Sequence, residues 1–143
     1  MARTANLKWK IEIDTTPATT ATYAEVGGIE SVDFANSDET KEGFFISDDG
    51  FGYSDVTAGR LAVGLSGKRV DGDTGQDYIV GLVGSWGADR KSTVKLTSYV
   101  TGDVYEIPCS LEIGAVSGGA AEDLEAFECT AHSDGAWTFT ASA

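Results

Sequence analysis

The segment LKWKIEID (7–14) alternates strictly, with Leu7, Trp9, Ile11 and Ile13 set against Lys8, Lys10, Glu12 and Asp14. A period of two is the mark of a half-buried strand. A polar loop, TTPATTAT, follows around Pro17. TYAEVGGIESVDFA (22–35) reads as a second strand, with a bulge expected at Gly27-Gly28. Alternation returns in GRLAVGLSGKRV (59–70), where Leu61, Val63 and Leu65 share a face, and in STVKLTSYV (92–100). DVYEIPCSLEIGAV (103–116) follows a hairpin turn at Thr101-Gly102-Asp103. It places Tyr105, Ile107, Cys109, Leu111 and Ile113 on one face, and Glu106, Pro108, Ser110 and Glu112 on the other. Pro108 cannot donate to a ladder, so a bulge or an unpaired stretch is expected there. After the SGGAAED loop, LEAFECTAHS and GAWTFTA give two last strands around Ser133-Asp134-Gly135.

Residues 36–59, NSDETKEGFFISDDGFGYSDVTAG, break the pattern. Turn signals flank an apolar island, Phe44-Phe45-Ile46, in a stretch far longer than the ~4–6 residues of an ordinary connection. Its aromatics, Phe44, Phe45, Phe51 and Tyr53, are expected to be covered by a partner and not left in water.

VDGDTGQDYIVGLVGSWG (70–87) holds three acids in a glycine-rich run and invites a calcium reading. Asp71 and Asp73 fit an EF-hand loop, but its fifth position is Gly75 and its twelfth is Leu82 in place of the bidentate Glu. No GxxxxGK[ST] is present, and the acids would repel a phosphate. A helix over about 74–86 remains, capped by Asp73 or Thr74, with Asp77 in its first turn. Tyr78, Ile79, Leu82, Val83 and Trp86 would form its apolar face.

The expected architecture is mainly β: an antiparallel sandwich or barrel of about seven or eight strands, one short flanking helix, and a long loop or hairpin over about 36–59. No repeat or linker divides the chain, so residues 1–143 are expected to form one domain. The expected core comprises Trp9, Ile11, Leu61, Val63, Tyr78, Leu82, Trp86, Ile107, Leu111, Phe127, Trp137 and Phe139. If 104–115 and 124–131 form a hairpin about Gly118-Gly119, Cys109 falls opposite Cys129, and geometry decides between two reduced core thiols and a bridge.

Net charge is −13, from 23 acids against 10 Lys and Arg. After Lys95 no Lys or Arg occurs, while eight acids follow. Such a surface excludes conventional nucleic-acid binding. It serves solubility, or it lets something negative slide past without sticking. The N-terminus lacks the apolar core of a signal peptide, and no run approaches the ~18 apolar residues that span a bilayer, so no membrane role is expected. The lone His132 has no nucleophile placed near it by any motif, and the acid pairs Asp48-Asp49 and Glu122-Asp123 sit in glycine-rich loops. The expectation is a non-enzyme without metal or cofactor.

The layout resembles that of phage tail tube proteins, the major tail proteins of long-tailed phages. The resemblance is carried by AEVGGIESVDFANSDETKEGFFISDDGFG, by TAGRLAVGLSGKRVDGDTGQDYIVGLV with its G-x-R-x-x-G-D turn, and by DVYEIPCSLEIGAVSGGAAEDLEAFECTAHSDGAW. It implies a subunit that forms stacked, sixfold rings around a channel for DNA, in a virion tail assembled in the host cytoplasm. The implied partners are further copies of the chain, with tape-measure, tail-terminator and tail-tip or baseplate proteins. It implies that the 36–59 excursion, with Phe44, Phe45, Ile46, Phe51 and Tyr53, reaches neighbouring subunits. On that plan Glu30, Asp33, Glu106 and Glu112 are the acids expected to face the lumen, the alternative being the outer surface. Tubes of contractile injection systems share this layout. A competing reading is an acidic β-sandwich that presents Trp9, Trp86 and Trp137 to a carbohydrate.

Overall fold

The alternation beginning at Trp9 builds β1 (Trp9–Asp14), the first of eight strands in one antiparallel sheet. The computed structural model describes residues 9–116 and 124–141, so Leu7, Lys8, Gly118, Gly119, Glu122 and Asp123 fall outside the described residues. The remaining elements are β2 (Tyr23–Glu25), β3 (Ile29–Phe44), β4 (Gly52–Lys68), α1 (Thr74–Val80), β5 (Lys91–Ser98), β6 (Val104–Ile113), β7 (Ala126–Ser133) and β8 (Thr138–Thr140). The sheet runs β2-β1-β5-β6-β7-β4-β3, and β8 pairs with β6.

The segment expected as one bulged strand is two. β2 and β3 lie at opposite ends of the strand order, yet only Val26, Gly27 and Gly28 join them. Three residues span at most ~13 Å between the flanking Cα atoms. The two ends of the sheet must therefore approach each other, so the sheet rolls into a sandwich without closing. Gly28 takes φ of 72°, and a Cβ there would stand 2.4 Å from the Lys68 carbonyl oxygen, so only glycine fits.

Gln76 locks this crossover. Its side chain is fully buried, and its Nε2 donates to the carbonyls of Gly27 and Lys68. Its Oε1 accepts from the Val70 amide at 2.8 Å and from Arg69 Nη1 at 3.1 Å. Asp73, the helix N-cap, accepts from the amides of both Gln76 and Gly27 at 3.0 Å. Arg69 meets Asp77 at 2.7 Å. The acids that invited a metal reading thus cap a helix and pin a loop to it.

The inward faces of β1, β4, β5, β6 and β7 supply the core, including Ile11, Leu61, Val63, Leu96, Ile107, Leu111 and Phe127, and α1 adds Ile79. Trp9, Tyr78 and Leu82 are partly buried against it. Trp86, Trp137 and Phe139, expected inside, are not. The helix ends at Val80, seven residues long, and Gly84 (φ 91°) turns the chain away, so helical periodicity no longer governs Trp86, which is 76% exposed. Trp137 and Phe139 belong to the three-residue β8 and its approach, too short a strand to bury a face. Phe139 instead packs sideways on Tyr105, which also meets Trp9 and Phe34.

Pro108 pairs in register with Thr93 on one side. On its other side, β8 pairs with Val104–Glu106 and β7 with Cys109–Ile113, so proline sits in the gap between them. Its carbonyl accepts from the Asp134 amide at 2.8 Å, showing that its donor-less nitrogen faces that gap.

Cys109 is opposite Ser133, and Cys129 opposite Ile113. A four-residue offset along a strand is ~13 Å, beyond the ~7 Å Cα reach of a disulfide. The expected pairing of the two is thus corrected, and both are buried free thiols. Burial pushes each thiol up to about 12 from an ordinary value of 9.0. Because the folded state holds these protons more tightly, their contribution to stability is complete below pH ~9 and is lost as pH rises toward ~12. Iodoacetamide at pH 8 should leave both cysteines unlabelled in the native protein and label both in denaturant; native labelling would show that the core opens. Among the described residues no helix is long and apolar enough to cross a membrane.

Candidate assembly surface

β4 pairs with β7 only from Ala62 to Lys68, while its first ten residues pair with β3 alone. From Asn36↔Leu61 to Phe44↔Gly52 the two strands leave the body as a two-stranded arm. From Asn36 to Phe44 the arm extends ~26 Å. The excursion expected over 36–59 is therefore a hairpin. No face of the arm is covered: residues 33–42 and 51–60 are all exposed.

The tip is nevertheless ordered by its own side chains. Phe45 stacks on Tyr53 with centroids 4.8 Å apart. The Tyr53 ring covers Gly43, where an added Cβ would come within 2.9 Å of the ring, and Phe44 covers Gly52, with its ring edge 3.0 Å from the added Cβ. Each aromatic lies over the glycine opposite it on the other strand, on opposite faces of the arm. A 3₁₀ turn at Ile46–Asp48 and left-handed Asp49 (φ 51°) and Gly50 (φ 91°) reverse the chain.

This arrangement exposes Phe44 by 74% and Phe51 by 77%, leaves Ile46 fully exposed, and leaves Phe45 and Tyr53 exposed beside them. Transfer of each such side chain from water is worth ~1.5–3 kcal/mol, so the tip carries a strong drive to be covered. All five residues expected to form a contact thus stand together. Val56, also exposed, is on the Phe44 face through the register Thr40↔Val56 and Phe44↔Gly52. Its period-two spacing from Ser54 and Gly52 could have revealed it.

Of the four acids expected to face a lumen, the structure brings two together. Asp33 and Glu112 line an open groove of about 450 Å³ on the polar face of β3-β4-β7-β6, with Glu128 as a third acid missed in the sequence. Glu112 also meets His132 at 2.6 Å. Glu30 sits at a register shift in β3 and is outside this lining. Glu106 stands farther along β6, opposite Lys95, which in turn faces Glu12 on β1 and lies 5.0 Å over the Tyr23 ring. Burial first, and then Glu106, Asp14 and Glu12, hold the Tyr23 hydroxyl above its ordinary value. Among the described residues no group of His, Cys, Asp and Glu is arranged to hold a metal.

A second open cleft, of about 710 Å³, lies at the root of the arm, between Ser37, Arg60 and Ala62 on one side and His132, Asp134 and Trp137 on the other. Asp134 is neutralised by Lys91 at 2.9 Å. The Arg60 backbone pairs with Ser37, but its guanidinium has no hydrogen-bond or ion-pair partner among the described residues.

No protein-family model matches the chain, and no curated protein matches it. Among solved structures it is similar to a chain in the tail of an empty gene transfer agent particle, determined by helical refinement with C6 symmetry. That match has 15% identity, covers 97% of this chain and 100% of the other, and has a TM-score of 0.74. A chain in the virion of the native gene transfer agent particle matches at 14% identity, with 97% and 100% coverage and a TM-score of 0.71. A chain in an extracellular contractile injection system, a sheath–tube complex in its extended state, matches at 13% identity, with 98% and 93% coverage and a TM-score of 0.61. At these identities the likeness establishes a shared fold over essentially the whole chain.

Proposed function

We propose that this chain is the repeating subunit of a hollow tail tube, in which copies form stacked, hexameric rings and DNA passes through the lumen without dwelling. The observation that carries this reading is the end-to-end fold likeness to chains of tail particles, one of them a C6 helical array. The exposed arm tip supports it, because a structural subunit needs a surface that only assembly buries. The chain's role is then structural and not enzymatic, and it resides in the tail of a virion-like particle. Proteins that set the tube's length, close its end and start its growth are its further partners.

Electron microscopy of the concentrated protein, incubated for days, tests the reading. Rings or hollow tubes of uniform diameter are expected. A protein that stays monomeric and binds glycans through Trp86, losing that binding on Trp86→Ala, would carry the carbohydrate reading instead.

The lumen is assigned to the polar groove face. An acidic wall repels phosphate, so nothing retains the polymer. Replacing Asp33 and Glu112 together with lysine should preserve the fold and give tubes that bind duplex DNA, with affinity falling as salt rises. Reversal of Glu106, already beside Lys95, should have less effect. Filter binding at two salt concentrations reads the difference, and unchanged DNA binding in the double variant would remove this face from the lumen.

A further inference from the structure

We infer that the arm tip of one copy seats in the cleft at the arm root of the next, with Phe44 and Ile46 against Trp137 and with Glu42 and Asp49 facing Arg60. This rests on the tube reading and names its contact. The tip cannot fill its own cleft. The arm is paired continuously from its root to Phe44↔Gly52, and its ladder holds the tip ~26 Å away.

Charge selects the cleft. The arm carries Asp38, Glu39, Glu42, Asp48, Asp49 and Asp55 against Lys41 and Arg60, so the surface that receives its tip must offer a cation. Cations are scarce in this chain. Lys10, Arg69 and Lys91 are committed to ion pairs, Arg90 to the carbonyls of Ser85 and Leu111, and Lys95 to the Tyr23 ring. Lys41 lies on the arm, and Lys68 lines none of the clefts described. Arg3 and Lys8 lie outside the described residues, and among the described cations Arg60 remains, in a cleft with an apolar wall of Leu61, Ala62 and Trp137. The exposed patch at Val83 and Trp86 is apolar too, but Arg90 beside it is already spent.

The geometry also limits the kind of assembly. Tip and cleft are different surfaces, so each copy can give one and receive one. Such contacts close into a reciprocal pair or a ring, or continue as helical arrays, and the tube reading requires the last two.

Photocrosslinking tests the contact. Ile46→p-benzoylphenylalanine alters a fully exposed side chain, so folding should be unaffected. In a mixture of ¹⁴N- and ¹⁵N-labelled protein, illumination should join position 46 to peptides containing residues 59–62 or 132–137 of the other isotope. A charge exchange provides the second measurement. Arg60→Glu should raise the concentration needed for assembly by roughly tenfold or more, and adding Glu42→Arg should recover most of it. Normal tubes crosslinked elsewhere, for instance at 81–88, would overturn this contact and leave the tube reading standing. So would an Arg60→Glu protein that assembles at the wild-type concentration. Discrete dimers with the expected crosslink would uphold the contact and overturn the tube. Monomers at every concentration would overturn both.

Discussion

Phe44→Asp and Phe45→Asp are each expected to give a folded monomer that no longer forms rings or tubes. In the single subunit these side chains bury little. Phe44 is mostly exposed and covers only Gly52, and Phe45 stacks on Tyr53 at the far end of an arm that contributes nothing to the core. The stability cost should therefore stay near the ~0.5 kcal/mol of an ordinary surface change. Assembly is affected differently. Each contact would lose the ~1.5–3 kcal/mol of a buried phenylalanine, and it would also have to desolvate a carboxylate. Every subunit makes the contact, so the loss repeats along the tube. Sedimentation velocity and a thermal melt, run on the same samples, separate the two effects. Tubes at the wild-type concentration would show that the arm tip is not the contact, whereas a melt lowered by many degrees would show that the tip belongs to the fold.

The arm also shows where sequence is legible and where it is not. Alternation identified β1, β5, β6 and the inner half of β4 because each buries one face against the core. The outer halves of β3 and β4 bury neither face, so nothing in the monomer imposes alternation on them. Their aromatic content was visible, and with it the exposed cluster, but their pairing was not. The rest went astray for related reasons. Gly27-Gly28 reads as a bulge locally, and only the strand order shows it to be a passage between sheet ends. The expected register of Cys109 and Cys129 depended on where a loop turns, and a different turning point moves every pair along the ladder. Helical spacing ran past Val80 because glycine at 81 and 84 does not forbid a helix by sequence alone. Among the acids, period two put Glu106 and Glu112 on one face correctly, but it could not say that Asp33 and Glu128 come from other strands to join Glu112.

Gln76 is the residue whose role no pattern announced, and its replacement should have the largest effect on the monomer. Glutamine is rarely buried, and nothing in TGQDYIV distinguishes it from a solvated position on the first turn of a helix. Yet its amide joins the Gly27 and Lys68 carbonyls to the Val70 amide, holding the crossover, the end of β4 and the start of the capped turn in one network. Gln76→Leu keeps roughly the same volume and removes every one of these partners. Two part-buried carbonyls and one part-buried amide would then lose this hydrogen bond, each costing ~1–3 kcal/mol, for a total of ~3–9 kcal/mol if water does not replace it. Against a typical domain stability of ~5–15 kcal/mol, that approaches unfolding. Because the crossover leads directly into β3, the arm's root should loosen with it, and assembly should fail through lost folding, unlike the failure expected for Phe44→Asp. Urea unfolding followed by tryptophan fluorescence measures the cost. A loss below ~1 kcal/mol would mean that water can replace the glutamine, and that the glycine passage is held by Asp73 and the backbone alone.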